Sequence, residues 1–253
     1  NVFEIDHVNA SSANTQVATY ANTSSAILFG DGASGNIYAS NTSYYGMRAN
    51  SDFAVSLWFR KTSVTSFKDY AYRFMEGSNI RLQLNFETNN DIEFLAFTDT
   101  SSNKKEFVLD SSAYSLEDWN NIIFTHDHSS DTQVIYLNSI SQSISITETG
   151  TFNSLSTAPD KLYVGDISAA NAFGFSGSMQ DLSVWNKNLT AADVADIYNQ
   201  GRVQDLREVG CSYALNNWYK MRDGNFSGRA NGTALSAGSA ITEIPDDGII
   251  SNL

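Results

Sequence analysis

The stretch Phe175-Ser-Gly-Ser-Met-Gln-Asp-Leu-Ser-Val-Trp-Asn-Lys-Asn-Leu-Thr-Ala-Ala-Asp-Val-Ala-Asp-Ile-Tyr-Asn-Gln-Gly201 decides how the chain is read. From Gly177 to Asn186 it reads as a strand with a glycine at its start. From Leu189 onward Val194, Ile197 and Tyr198 fall on one helical stripe. Thr190 stands where an N-cap hydroxyl belongs, Asp193 follows three residues on as its capping-box partner, and Gly201 supplies a C-terminal stop. A strand followed by one short amphipathic helix suits a helix that plugs an edge of a β-sandwich.

Outward from this stretch, short runs of β-formers alternate with clusters of Gly, Asn, Ser and Asp. Strands are predicted over Ala26 to Phe29, Phe53 to Lys61, Tyr70 to Met75, Ile80 to Glu87, Asp91 to Thr98 and Lys105 to Leu109. Others are predicted over Asn121 to His126, Thr132 to Leu137, Ser141 to Thr147 and Lys161 to Gly165. In Phe53-Ala-Val-Ser-Leu-Trp-Phe59, Phe53, Val55, Leu57 and Phe59 share one face, while Ala54, Ser56 and Trp58 share the other. A second layer or a ligand on that other face explains Trp58. Asn138-Ser139 is a turn-prone pair at a hairpin tip.

Composition removes several classes. A 253-residue chain with 42% apolar residues builds one large domain, with or without a smaller annex. Its 15 Lys and Arg against 28 Asp and Glu give a net charge of −13 without a basic run, which disfavours nucleic acid and anionic membranes. The single Cys211 cannot form an internal disulfide. Apolar runs such as Phe53 to Phe59 fall far short of the roughly 20 residues of a membrane span. The sequence starts Asn1-Val-Phe-Glu without Met, as a processed product or a piece of a longer chain would.

The quoted stretch, preceded by Leu162-Tyr-Val-Gly165, resembles the closing signature of laminin-G-like, concanavalin A-like jelly rolls. Phe53 to Arg60 is similar to the family's Trp-containing strand. Trp119-Asn-Asn-Ile-Ile-Phe-Thr125 with Tyr136-Leu-Asn138 is similar to its Trp strand and Tyr-hydrophobic-Asn hairpin. The likeness covers residues 26–201, with Ser139 where glycine is common and Gln180 where an acidic residue often sits. It implies an all-β, antiparallel jelly-roll sandwich over residues 1–204, with one short helix near residues 190–200 and a C-terminal annex over 205–253. In that annex a strand is expected within Tyr213 to Met221, and Ile241 to Leu253 is expected to be an extended arm. Leu215-Asn-Asn-Trp-Tyr-Lys-Met-Arg-Asp-Gly224 with Ala230-Asn-Gly-Thr-Ala-Leu235 resembles a segment following such jelly rolls in virion proteins predicted in marine phages.

The family likeness implies glycan binding and, at the sandwich rim, a Ca²⁺ site for which Asp31 and Asp181 are the nearest candidates. Tyr44 and Tyr45, in the polar run Asn41-Thr-Ser-Tyr-Tyr-Gly46, are the candidate ligand platform, against the plainer reading that they pack under the rim. Trp58, Trp119 and Trp185 are assigned to the core. His126-Asp-His128 puts two imidazoles on one strand face as a metal pair, against the plainer reading of a solvated turn. His7 is the third histidine, and no Gly-x-Ser-x-Gly motif is present. Glu4-Ile-Asp6 has the look of a glycosidase carboxylate motif, but Val8 and Asn9 stand where its second glutamate belongs. Gly30-Asp-Gly-Ala-Ser-Gly35 reads as a loop. Asn-x-Ser/Thr triplets start at Asn9, Asn22, Asn41, Asn188, Asn225 and Asn231.

The sequence therefore predicts a non-catalytic recognition or adhesion module on an extracellular or virion surface, with a glycan or another surface ligand as partner. The alternative is a virion decoration protein, docking on neighbouring subunits or on copies of itself through Ile241 to Leu253. A glycoside hydrolase is third, for want of a carboxylate pair.

Overall fold

The computed structural model describes residues 47–62, 68–98, 102–152, 155, 158–165 and 174–221, and the backbone of 25–29, 37–40, 236–237 and 241–245. In chain order the strands begin with β1 (Ser25–Phe29), β2 (Ile37–Ser40), β3 (Phe53–Lys61), β4 (Asp69–Glu76), β5 (Asn79–Phe86) and β6 (Ile92–Phe97). There follow β7 (Lys104–Leu109), β8 (Asn120–Asp127), β9 (Thr132–Leu137), β10 (Ile140–Ser141) and β11 (Ser145–Thr149). The last are β12 (Lys161–Val164), β13 (Gly177–Trp185), β14 (Leu215–Tyr219), β15 (Ser236–Ala237) and β16 (Ile241–Pro245). Among the described residues one α-helix, α1 (Ala191–Tyr198), follows β13.

Two eight-stranded antiparallel sheets face each other. Sheet A runs β10-β9-β8-β3-β13-β1-β16, with β14 also on β13; sheet B runs β11-β7-β6-β5-β4-β12-β2-β15. The period-2 pattern read from Phe53 to Phe59 decides which side of β3 meets sheet B. Phe53, Val55, Leu57 and Phe59 join Phe74, Leu82, Leu84, Phe86, Phe94 and Phe124 in the core between the sheets. An ion pair between Lys61 of β3 and Asp69 of β4, both almost fully buried, links the layers, with the Lys61 ammonium 5.5 Å from the Phe86 ring centre.

β13 carries the closing signature. Gly177 has φ +148°, and a Cβ there would lie 2.0 Å from the Arg60 carbonyl oxygen, so only glycine lets β13 approach β3 this closely. At Asp181, with φ +50°, the register against β3 shifts. On its other side β13 pairs with β1 through Met179 and with β14 from Leu182 onward, so this bulge marks the exchange of partners. From the stretch expected as the C-terminal annex, β14 and β16 thus join sheet A and β15 joins sheet B. Ile241–Pro245, expected to open an arm, pairs along its length with β1.

The helix forms as its capping signals require. The Thr190 hydroxyl accepts from the Asp193 N–H, and the Asp193 carboxylate accepts from the Thr190 N–H. It ends at Tyr198, three residues before Gly201, because Asn199 already takes a left-handed conformation with φ +47°. At the β9–β10 turn Asn138 and Ser139 have φ +51° and +65°. Ser139 holds this left-handed conformation where glycine is common, and the Asn138 side chain ties the turn down by accepting from the Asn121 N–H at 2.8 Å.

Candidate functional site

The two sheets differ on the faces that point away from the core. On sheet A this face is covered. Trp58 stacks on Tyr198 at 5.6 Å and 16°, beside Trp119 and Val203. Ala54, Ile123 and Trp185 are buried beneath Leu189, Val194, Ile197, Leu206, Val209 and Trp218. The three tryptophans assigned to the core are thus buried, but outside the space between the sheets. Strand parity turns Trp58 and Trp185 outward, Trp119 lies just before β8, and α1 with residues 203–218 supplies the second layer over Trp58.

On sheet B the outward face of the central strands is polar. In β5, Leu82, Leu84 and Phe86 enter the core, so Arg81, Gln83 and Asn85 must point the other way, and all three are buried there. Arg73 pairs with Gln83 across β4–β5, and Asn85 pairs with Glu93 across β5–β6. A ladder of side-chain hydrogen bonds follows this register. Arg73 Nε donates to Gln83 Oε1 at 2.7 Å, and Gln83 Nε2 donates to Asn85 Oδ1 at 2.7 Å. Asn85 Nδ2 donates to Glu87 Oε1 and to Glu93 Oε2, both at 2.9 Å. Lys68 Nζ closes the ladder, 3.4 Å from Glu93 Oε2 and in contact with Glu87. The Arg73 guanidinium also lies 4.8 Å over the Tyr70 ring.

Burial of polar groups costs free energy unless each finds a partner, and here the partners are one another. Glu93 is 7% exposed at its side chain, Glu87 24% and Lys68 42%, so solvent meets the ladder at its lysine end. Burial raises the Glu93 carboxyl to about 7, and its hydrogen bond with Glu87 adds to this, while Asn85 and Lys68 oppose it. Burial alone would lower the Lys68 ammonium, but the Glu87 hydrogen bond and the two negative charges outweigh it and hold it above its usual value.

The residues singled out in the sequence are placed differently. Tyr44, Tyr45, Asp31, His7, Glu4-Ile-Asp6 and Gly30 to Gly35 lie outside the described residues. Asp181 is buried at the β13 bulge, where its Oδ1 accepts from the Trp218 indole N–H at 2.7 Å. That position lies within sheet A, where β13 passes from pairing with β1 to pairing with β14. His126 is buried against Phe53 at 5.1 Å and Phe152 at 5.8 Å, and its Nδ1 accepts from Gln133 Nε2 at 2.9 Å. Burial lowers its pKa to about 4. His126 is therefore a neutral packing group, with the His128 ring centre 6.4 Å away. Among the described residues no group of three or more His, Cys, Asp or Glu is arranged to hold a metal ion.

Sequence reading missed the ladder and also missed a carboxylate pair. Glu87 and Glu93 are brought together by the β5–β6 hairpin, in which Glu87 N–H donates to Asp91 C=O at 2.8 Å.

A family model described as the Concanavalin A-like lectin/glucanases superfamily matches residues 30–195. The chain belongs to that superfamily. No curated protein matches it. As a concanavalin A-like jelly-roll sandwich it is similar to the native heptameric SAP-like pentraxin of Limulus polyphemus, with TM-score 0.57 and 12% identity over 88% of this chain and 95% of the pentraxin. It is also similar to a Bacteroides ovatus protein assigned as carbohydrate binding, with TM-score 0.58 and 13% identity over 89% of this chain and 60% of that one. The binding domain of botulinum neurotoxin DC in complex with SialylT gives TM-score 0.51 and 13% identity, over 68% and 42% of the two chains. At these identities the likeness of this concanavalin A-like chain to its neighbours is one of fold. Among the described residues no helix is long and apolar enough to cross a membrane.

Proposed function

We propose that this chain is a non-catalytic carbohydrate-recognition module, working in an extracellular setting, and that it binds glycan on the outward face of sheet B at the lysine end of the ladder. The observation that carries this reading is the hydrogen-bonded run Arg73–Gln83–Asn85–Glu87/Glu93–Lys68, set on rigid paired strands while the opposite outer face is closed by α1 and residues 203–218. Glu87 and Lys68, the members of the run that reach solvent, are fixed by the buried amides behind them and offer a sugar's hydroxyl groups preorganised partners, so little ordering entropy remains to be lost on binding. The carbohydrate binding assigned to the Bacteroides ovatus neighbour agrees with this reading.

The Glu87/Glu93 pair raises the question of hydrolysis. A glycosidase sets its two carboxyls about 5–9 Å apart with the scissile bond between them. Here both carboxyls share the Lys68 ammonium and the Asn85 amide, which favours a recognition role.

The test is a glycan-array screen of the full chain, with calcium and again with a chelator, followed by a reducing-end assay on every bound glycan. Selective binding that survives chelation, without release of reducing ends, supports the proposal. No binding, or release of reducing ends, overturns it.

A further inference from the structure

The accessible end of the ladder has two carboxyls and one lysine. Lys68 Nζ contacts both Glu87 and Glu93, and the Asn85 amide also donates to both. The charged groups around them are otherwise committed. Asp91, in the same hairpin, accepts from Ser111 N–H at 2.8 Å and from the Asn89 amide at 2.7 Å. Asp69, which opens β4, turns to Lys61 on the core side. Arg73 is linked to the pair through Gln83 and Asn85, and Glu106 of β7 pairs with Lys104 at 3.3 Å. In the row of Glu93 the neighbours on β7 and β11 are Val108 and Ser145, which do not titrate.

Two carboxylates facing one ammonium have a simple alternative, in which one proton is held between them and one negative charge remains. In that state each carboxyl spends a lone pair or its hydrogen on the other. When the proton leaves, both carboxylates need additional donors. On this face a sugar hydroxyl is such a donor. Proton and ligand thus compete for the same oxygens.

We propose that the Glu87/Glu93 pair makes glycan binding at this site proton-regulated, with binding releasing a proton and weakening as the medium turns acidic. The proposal rests on the carbohydrate reading of the ladder. Protonation inserts a hydrogen between the carboxyls and removes a charge-assisted contact to the ligand; deprotonation restores both acceptors. The device is a release mechanism for a ligand taken up near neutrality.

The test is calorimetric titration, at pH 8 and pH 5.5, of the strongest neutral oligosaccharide from the array screen, in buffers of different ionisation enthalpy. Loss of one charge-assisted hydrogen bond predicts affinity roughly tenfold weaker at pH 5.5, with proton release on binding near neutrality. Glu93→Gln should abolish the dependence. Glu87→Gln leaves one carboxylate with one lysine and should move the midpoint to lower pH, an effect that loss of packing alone does not produce. Equal affinity at both pH values, tighter binding at pH 5.5, or an unmoved midpoint in Glu87→Gln overturns the proposal.

A ligand-free readout separates this failure from failure of the carbohydrate reading. Carboxyl carbon NMR of the unliganded chain should show one glutamate titrating near pH 7, its midpoint lowered in Glu87→Gln. If that titration is seen and no oligosaccharide binds at any pH, the carbohydrate reading has failed and this proposal fails with it. If oligosaccharides bind but no such titration is seen, only the proton-regulation proposal fails.

Discussion

Replacing Trp218 with Phe should cost about 2.5–4 kcal/mol of stability. Trp218 is fully buried and its indole N–H donates to Asp181 Oδ1, while Asp181 is itself buried. Phe removes that donor and leaves the carboxylate oxygen facing a ring. A hydrogen bond to a charged group contributes about 1.5–3 kcal/mol, and the volume lost from the ring adds about 1 kcal/mol. For a chain of this size the sum lowers the melting temperature by about 5–16 °C. The assay is urea unfolding of four proteins: wild type, Trp218→Phe, Asp181→Asn and the double variant. Asn tolerates the left-handed backbone at position 181 and keeps an acceptor without its charge, so Trp218→Phe should cost about 1 kcal/mol less in that background. A cost below about 0.5 kcal/mol in the wild type, or equal costs in both backgrounds, would refute the reasoning.

His126 and Glu93 give opposite pH slopes. Burial lowers His126 to about 4 in the fold, so the unfolded chain binds more protons between pH 4 and 6.5, and about 3 kcal/mol of stability drains away as pH falls through that window. Glu93 is raised to about 7, so its contribution is present at low pH and is lost as pH rises from 4.5 through 7. Denaturation of His126→Gln and Glu93→Gln across pH 4–8 should each remove its own slope; an unchanged profile contradicts the assignment. Gly177→Ala would place its Cβ 2.0 Å from the Arg60 carbonyl oxygen, and it should destabilise by about 3 kcal/mol or more, read as a fall in urea midpoint. The buried Cys211 thiol is pushed up to about 11, chiefly by burial, so a thiol reagent at pH 8 should label native protein slowly and denatured protein within seconds.

Much of the fold was legible in the sequence because its signals are local. The parity of Phe53 to Phe59, the capping residues Thr190 and Asp193, and the turn pair Asn138-Ser139 each act within a few residues, and each takes its predicted conformation. The helix falls within the predicted residues 190–200, and Asn199 adopts the left-handed turn at its end ahead of Gly201. Parity already put Trp58 on the face opposite Phe53 to Phe59, whereas what covers it comes from α1 and residues 203–218, more than a hundred positions away in the sequence. The ladder was not legible. Arg73, Gln83, Asn85 and Glu93 lie on three strands, and each alone reads as an ordinary outward polar position. Only the pairing of Arg73 with Gln83 and of Asn85 with Glu93 makes them one network. The Glu87/Glu93 pair was hidden for the same reason, because a hairpin brings the two together. Runs such as Leu-Gln-Leu-Asn-Phe86 followed by Ile92-Glu-Phe94 carry a signal, since alternation with amides and a carboxylate on one face marks a polar sheet surface.

The most direct measurement is titration of the strongest oligosaccharide from the array against the wild-type chain and against Gln83→Ala/Asn85→Ala, with unfolding curves recorded in parallel. Recognition on sheet B predicts tenfold or greater loss of affinity in a variant that remains folded. Undiminished affinity in that folded variant would contradict the account.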